Sequence, residues 1–230
     1  MTLDDILRVL LSFVAAVPAI VLHEVAHGLV AFRLGDPTAR SMGRLTLNPL
    51  AHIDPIGTIL VPLVLVVLGG PAFGWAKPVP INPRYFRNPF QGMLYVALAG
   101  PSTNIVLAAA TILIGRLLLL VIPAWEVAIS ATFLGTLGRS LFYLLGIFVL
   151  INLFLAVLNM IPVPPLDGSR VLTYFLPPGG RRFMLSLERY GLLIVAALIF
   201  LNGLEWLFDL IVRALEVLLG QQWILLVLSF

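Results

Sequence analysis

The chain has 230 residues, of which 60% are hydrophobic and 11% are charged, and it contains no cysteine. A soluble domain carries about 25% charged residues, so this sequence lacks the polar surface of an ordinary water-soluble enzyme. The absence of cysteine excludes a disulfide scaffold and a thiolate metal site. The formal net charge of +3 is too small and too dispersed for a nucleic-acid surface. The composition therefore predicts an integral membrane protein with no nucleic-acid partner.

Apolar stretches divide the chain into predicted membrane elements, because a spanning helix needs about 20 predominantly apolar residues. Pro55–Ala76 predicts a re-entrant segment, and Trp75–Asn82, with alternating apolar residues and prolines, predicts a short edge strand. Tyr190–Leu204 predicts a further, shorter span, and the sequence from Leu204 onward predicts an amphipathic helix. The three longest stretches, which predict the main spans, cover about residues 6–32, 88–122 and 140–166.

The expected fold is an all-α polytopic membrane protein with a single domain over residues 1–230. Its core, at about 6–180, contains three spanning helices, the re-entrant segment and short β-strand elements, and one or two further helices lie within about 183–230. If Pro55–Ala76 re-enters rather than crosses, the basic segments 33–44, 77–87 and 170–182 share one side. By the positive-inside rule that side is the cytoplasm. We therefore expect a multi-pass membrane protein whose basic segments face the cytoplasm.

The first spanning stretch contains the motif His23-Glu24-Val-Ala-His27, which is HExxH. On a helix, the spacing of four residues places both imidazoles on one face, where they can bind one metal ion. Glu24 can then act on a water that the metal activates. A chance match is disfavoured, because each ionisable group inside a membrane helix costs roughly 2.5 kcal/mol or more.

A catalytic zinc site needs a third protein ligand and an open position. The sequence offers three candidates for this ligand: His52, Asp54 and Asp167. Asp167 follows a spanning stretch and lies in Pro-Pro-Leu-Asp-Gly, where the prolines break the helix. Exposed backbone at membrane depth must line a cavity, which favours a functional site there, although a simple turn aspartate is the alternative.

Three motifs carry a family resemblance: HEVAHG at residues 23–28, GPSTN at residues 100–104 and NMIPVPPLDG at residues 159–168. Over about residues 6–180 they closely resemble the site-2 protease family, whose members are intramembrane zinc metalloproteases. The segments Leu47–Pro55 and Gly74–Pro80 look like the small branch of that family, which lacks a PDZ domain.

The resemblance implies a role for five side chains. His23, His27 and Asp167 would bind Zn²⁺, and Glu24 would be the general base and acid. Asn159 would help to hold the substrate or the developing oxyanion, although capping of a broken helix explains an amide at this position equally well. The implied activity is hydrolysis of peptide bonds in membrane-spanning proteins, which is regulated intramembrane proteolysis. The expected location is a prokaryotic inner membrane, with the active site opening to the cytoplasm.

Two accessory residues and one segment have alternative interpretations. Asn104 either packs and hydrogen-bonds between helices or supports the site. His52 is a structural donor, a transient fourth ligand or a proton shuttle. The Trp75–Asn82 segment either pairs with unwound substrate by strand addition, through a donor such as the Val79 N–H, or forms a self-contained hairpin.

Two other functions are compatible with ionisable residues in a membrane helix. A divalent-metal transporter would need carboxylates or histidines through both leaflets, whereas the motifs cluster near one face. A catalytically inactive relative would bind membrane proteins without cutting them, and the intact HExxH argues against it. The expected partners are a membrane-spanning protein substrate and the lipid bilayer, and the sequence indicates no oligomeric state.

Overall fold

A computed structural model describes residues 3–67, 74–121, 133–201 and 205–219. These residues are mostly helical. Short 3₁₀ turns lie at Pro49–His52, Pro83–Tyr85 and Glu188–Tyr190, and a π-helical segment lies at Pro55–Leu60. The α-helices are α1 (Leu3–Arg33), α2 (Thr38–Ser41), α3 (Val61–Val67), α4 (Pro89–Val121), α5 (Phe133–Asn159), α6 (Asp167–Phe175), α7 (Pro178–Leu187), α8 (Gly191–Phe200) and α9 (Glu205–Leu219).

Within the described residues, three helices are long and apolar enough to cross a membrane, over Ile6–Arg33, Pro89–Val121 and Leu137–Asn159. These parts of α1, α4 and α5 pack against one another and form the core of the molecule. The prediction of three long apolar helices is therefore confirmed. The third span ends at Asn159 rather than near residue 166, because the closely spaced prolines that follow cannot continue an α-helix.

The loop after α1 is tied to the chain that precedes α4. Asp36 is fully buried, and its Oδ1 accepts hydrogen bonds from the backbone N–H and the hydroxyl of Thr38. Its Oδ2 accepts from the backbone N–H of Asn82 at 2.6 Å. Nearby, Phe86 and Val96 pack with Ala31 of α1. One carboxylate therefore connects two loops on the side of the bundle where α1 ends.

The predicted edge strand is not found, and the predicted re-entrant segment lies partly outside the described residues. Residues 55–67 are helical, but residues 68–73 lie outside the described part of the chain, so its return is not described. Trp75–Asn82 has no regular secondary structure, and the described ranges contain no strand. Pro78 and Pro80 supply no N–H for a ladder. The N–H groups of Lys77 and Val79 donate to the carbonyl of His52 and to the carboxylate of Glu24 instead.

The described part of the C-terminal region contains two helices after residue 190. Helix α8 has ten residues, a length of about 15 Å, which is half of what a bilayer core requires. The predicted span over 190–204 extends into residues 202–204, which lie outside the described ranges. The predicted amphipathic helix is present as α9. Its residues Leu207, Ile211 and Leu215 are buried in a core cluster with Ala108 and Phe142, and its exposed side chains include Asp209, Arg213 and Glu216.

Candidate metal centre and active site

Three side chains from two distant parts of the sequence converge at one point. His23 and His27 lie one turn apart on α1, and Asp167 is the first residue of α6. The two Nε2 atoms are 3.0 Å apart, and they lie 3.3 Å and 3.2 Å, respectively, from Oδ2 of Asp167. Both histidines are buried, each with 6% of its surface exposed. Among the described residues, this is the group of three that could hold a metal ion.

Hydrogen bonds on the far side of each ring determine which nitrogen faces the cluster. Nδ1 of His27 lies 2.7 Å from the carbonyl oxygen of Val96 on α4. Nδ1 of His23 lies 2.5 Å from Oδ1 of Asn104, one of the GPSTN residues. Both oxygens can only accept, so each Nδ1 donates, and in the neutral imidazole each Nε2 then presents a lone pair. Two lone pairs and a carboxylate oxygen thus face one another, an arrangement that repels unless a cation lies between them.

The residues fit a zinc ion by donor type, spacing and available space. Zn–N and Zn–O bonds of about 2.0–2.1 Å in a tetrahedron separate the ligand atoms by about 3.3 Å, close to the separations observed here. Oδ2 of Asp167 is buried and has no hydrogen-bond partner. Gly100 of α4 leaves the necessary space, because a Cβ there would lie 2.5 Å from Nε2 of His27 and from Cε1 of His23.

The break between α5 and α6 delivers Asp167 to the histidines. The chain leaves α5 at Asn159 and restarts as a helix at Asp167 after an extended Leu166. Gly168 makes the close approach possible, since a Cβ there would collide with the carbonyl oxygen of Met160. The N-terminal turn of α6 also favours a negative charge. The proline-rich motif therefore places a carboxylate against α1.

The other two candidates for the third ligand lie elsewhere. His52 is buried, its Nε2 lies 3.0 Å from the carbonyl oxygen of Thr46, and it does not belong to the cluster. Asp54 caps the π-helical segment by accepting the N–H groups of Ile56 and Gly57. The hydrogen bond from Gly57 is the main cause that lowers the pKa of Asp54, and the bond from Ile56 adds to it. Of the three candidates, only Asp167 lies with the histidines in the described structure.

The two side chains expected to take part in catalysis have defined partners. Oε2 of Glu24 accepts a hydrogen bond of 2.9 Å from the backbone N–H of Val79. Glu24 is also close enough to His27 for an electrostatic interaction. Asn159, the last residue of α5, donates from Nδ2 to the carbonyl of Leu155 at 2.9 Å. In this arrangement Glu24 lies next to the cluster, whereas the Asn159 amide is engaged with its own helix.

In this structure Glu24 occupies the N–H of Val79, so this donor is not free to face the substrate as the strand-addition alternative requires. Directly before Val79, the carbonyl oxygens of Lys77 and Pro78 accept hydrogen bonds from Nη2 of Arg44 at 2.7 and 3.3 Å. The segment is thus held between a guanidinium and a carboxylate. No local sequence pattern predicts the contact between Glu24 and Val79, since 55 positions separate the two residues.

A chain of amides supports His23 from across the bundle. Asn104 is fully buried, and its Nδ2 donates to the carbonyl of Ala19 at 3.3 Å and to Oδ1 of Asn152 at 2.8 Å. Asn152, also fully buried, donates in turn to the carbonyl of Phe148 on α5. Asn152 was not among the residues predicted from the sequence. The sequence does contain a feature that could have identified Asn152: it is an amide inside an apolar spanning stretch, and such amides often form hydrogen bonds between membrane helices.

Comparisons with known proteins agree with this site. Residues 12–202 match the profile of peptidase family M50. "Putative zinc metalloprotease YwhC" of Bacillus subtilis is 41% identical over 177 residues, which cover 77% of this chain and 74% of that protein. "Putative zinc metalloprotease Rip2" of Mycolicibacterium smegmatis is 32% identical, with 83% and 67% covered. "Putative zinc metalloprotease MJ0611" of Methanocaldococcus jannaschii is 32% identical, with 74% and 73% covered. No solved structure matches.

Proposed function

Because the chain belongs to peptidase family M50, the site-2 protease family, we propose that it is an intramembrane zinc metalloprotease that hydrolyses peptide bonds of membrane-spanning proteins. One observation carries the proposal: Nε2 of His23, Nε2 of His27 and Oδ2 of Asp167 converge beside Gly100, while each Nδ1 is hydrogen-bonded on the far side of its ring. Glu24, a carboxylate placed to move a proton, lies next to them in sequence. The substrate class and the catalytic mechanism are part of the proposal.

The three ligands would hold zinc, which when bound lowers the pKa of a water and polarises a peptide carbonyl. The chain's own residues do the rest. Glu24 takes a proton from the attacking water and passes it to the nitrogen of the leaving amine. Asn159 donates a hydrogen bond to the oxyanion once its Nδ2 leaves the carbonyl of Leu155. Gly100 keeps one side of the cluster free of side chains.

We propose that the site opens to the cytoplasm of a prokaryotic cell. His27 lies six residues before the end of α1 at Arg33, which is about 9 Å along the helix axis. Water therefore has a short path to the cluster from that end. The basic residues near Arg33, Arg84 and Arg181 mark the same side under the positive-inside rule. The N-terminus then lies outside the cell.

Single cysteines test this topology, because the chain has none of its own. A cysteine in place of Arg84 should react with a membrane-impermeant thiol reagent only after the cells are opened, and a cysteine in place of Thr2 should react in intact cells. Labelling of position 84 in intact cells would mean that the chain crosses the membrane within residues 55–76. The cytoplasmic opening would then have to be abandoned.

The arrangement favours a protease over a metal transporter. A transporter needs ligands along a path through both leaflets, whereas the described residues contain one cluster of three, near the end of α1. An inactive binding protein would have no use for a carboxylate at position 24 beside a complete ligand set. Both alternatives nevertheless make testable forecasts.

The proposal is tested by co-expressing the protein with epitope-tagged single-span membrane proteins. The wild type should convert at least one of them to a shorter product. Glu24→Gln should abolish cleavage while the purified variant keeps its zinc, because it removes the proton carrier and leaves the ligands. Cleavage that persists in Glu24→Gln would contradict the assigned base. Zinc transport into cells or vesicles by both proteins, without cleavage, would favour the transporter.

A further inference from the structure

We propose that Arg44 positions the general base Glu24 through the single peptide unit that joins Pro78 to Val79. This inference deepens the proposed function and rests on it, since it assigns Glu24 the role of base. The peptide unit lies in the segment Gly74–Asn82, called the 74–82 segment below, and this segment then helps to orient the base. Neither Arg44 nor this peptide belongs to the ligand set.

Both ends of the same peptide unit are occupied by charged groups. The carbonyl oxygen of Pro78 accepts a hydrogen bond from Nη2 of Arg44 at 3.3 Å. The N–H of Val79 donates to Oε2 of Glu24 at 2.9 Å. The guanidinium therefore lies at the negative end of the peptide dipole and the carboxylate at the positive end. Charged partners strengthen hydrogen bonds, and bonds in a chain polarise one another.

Arg44 differs from an ordinary surface arginine in its burial and in its partners. It is buried, with 7% of its surface exposed, and its Nε has no hydrogen-bond partner. No carboxylate within the described ranges makes an ion pair with it. A buried charge without a direct counter-ion is unfavourable. The carbonyl oxygens of Lys77 and Pro78, together with Glu24 beyond the peptide, provide the compensating negative charge.

The side chain of Val79 fixes the same peptide from the other direction. Val79 is 6% exposed, and it packs on Gly28, one helical turn after Glu24. A Cβ at Gly28 would lie 2.9 Å from Cγ1 of Val79 and 2.8 Å from Cδ2 of Leu45. The glycine that follows HExxH therefore lets the segment lie directly on α1. The N–H of Val79 has a fixed position relative to the Glu24 backbone.

The two carboxylate oxygens of Glu24 therefore have different roles. Oε2 is held by Val79, and none of the described residues donates to Oε1. Oε1 is therefore the oxygen left to take the proton of the attacking water. A base must be within hydrogen-bond reach of the proton that it removes, and fixing one oxygen restricts where the other can lie. Arg44 and Val79 act through Glu24, so they are positioning residues.

Amide hydrogen exchange tests the contact without any protease assay. The full chain in lipid nanodiscs is compared with Glu24→Ala, Glu24→Gln and Arg44→Met. Pro78 and Pro80 have no amide hydrogen, so Val79 is the only exchanging amide between Lys77 and Ile81 and can be assigned. We expect exchange at Val79 to rise at least tenfold in Glu24→Ala and in Arg44→Met. It should rise less in Glu24→Gln, which keeps an acceptor oxygen.

Arg40→Met is the matched control, because it removes the same charge only four residues away, in α2. Arg40 is exposed and its guanidinium lies 4.9 Å from the ring centroid of Phe32, away from the peptide. Exchange at Val79 should not change in this variant. Unchanged exchange in Glu24→Ala would overturn the contact, and unchanged exchange in Arg44→Met would overturn the role of Arg44. Neither result depends on whether the wild type is a protease.

Kinetics then separate positioning from folding and from substrate binding. With the tagged protein that the wild type cleaves fastest, Arg44→Met should lower kcat at least tenfold at unchanged KM, zinc content and Tm. Arg44→Lys, which keeps a charged donor, should recover part of kcat, and Arg40→Met should behave as the wild type. A loss confined to KM would assign the peptide to substrate binding and overturn the proposal. A parallel loss of Tm and zinc, or a gain in kcat, would also overturn it.

Discussion

The metal ligands and the general base are held by different parts of the molecule. On the helix side, the Nδ1 atoms of His23 and His27 are fixed by Asn104 and Val96 of α4, a spanning helix. On the loop side, Glu24 is fixed by the backbone N–H of Val79, in a segment without regular secondary structure. Ligand geometry thus depends on helix packing, whereas base geometry depends on how a loop lies on α1. Variants on the helix side should affect zinc, and variants on the loop side should affect turnover.

The largest effect is expected from removing a ligand. His23→Ala, His27→Ala and Asp167→Ala should each lose zinc and all activity, because a catalytic zinc site has three protein ligands. Elemental analysis of the purified variants measures this, with about one zinc per chain expected in the wild type. Glu24→Gln, on the loop side of the comparison, should keep its zinc. Full zinc content in Asp167→Ala would remove this residue from the ligand set.

Gly100→Ala should have the next largest effect. The added Cβ would lie 2.5 Å from Nε2 of His27, so the imidazoles must shift. We expect zinc affinity to fall at least tenfold while the helical content is retained, since alanine favours a helix more than glycine does. Competition with a chelator measures the affinity. Gly179→Ala is the matched control, because nothing lies within 4 Å of a Cβ there, and unaltered zinc affinity in Gly100→Ala would contradict the assigned cavity.

The amide chain gives a graded prediction. Asn104→Leu removes the acceptor of His23, and loss of such an outer partner lowers metal affinity by about 10–100-fold. Asn152→Leu should lower it less, because Asn152 reaches His23 only through Asn104. Chelator competition on both variants, with Arg44→Met alongside, compares the two sides directly. Equal losses of zinc in Asn152→Leu and Arg44→Met would remove the distinction between them.

The smallest effect is expected for His52→Gln. His52 lies in the loop and is hydrogen-bonded to Thr46, and a glutamine amide can replace that donor. We expect zinc content and kcat to stay within twofold of the wild type. The free energy of unfolding should fall by less than about 1 kcal/mol, the value of one whole hydrogen bond. A tenfold loss of turnover at full zinc content would instead assign His52 to proton transfer.

Sequence motifs located the ligands better than they located the groups around them. HExxH sets two histidines on one face through helical periodicity alone, and the break after the third span marked the region of Asp167. The choice among His52, Asp54 and Asp167 stayed open in the residue-by-residue interpretation, since it depends on how α6 packs against α1 and α4. Periodicity describes one element, whereas a third ligand depends on the contact between two.

The loop side was predicted less well for the same reason. Alternation and prolines predicted an edge strand over Trp75–Asn82, yet the donors of this segment bind Glu24 and other loop groups. A contact between residues 24 and 79 leaves no trace in either local pattern. Asn152 was visible as an amide in an apolar span, but its partner Asn104 could be found only from the packing of α4 on α5.

The prolines on either side of Val79 also constrain how the length of this loop can change in evolution. An insertion or deletion that slid the chain by one residue would bring Pro78 or Pro80 opposite Glu24, and neither has a hydrogen to donate. After a shift of one residue, the carboxylate of Glu24 would therefore have no backbone donor, because neither neighbouring residue of Val79 has an N–H. Relatives that keep this contact should vary in length before Lys77 or after Asn82, and not between them.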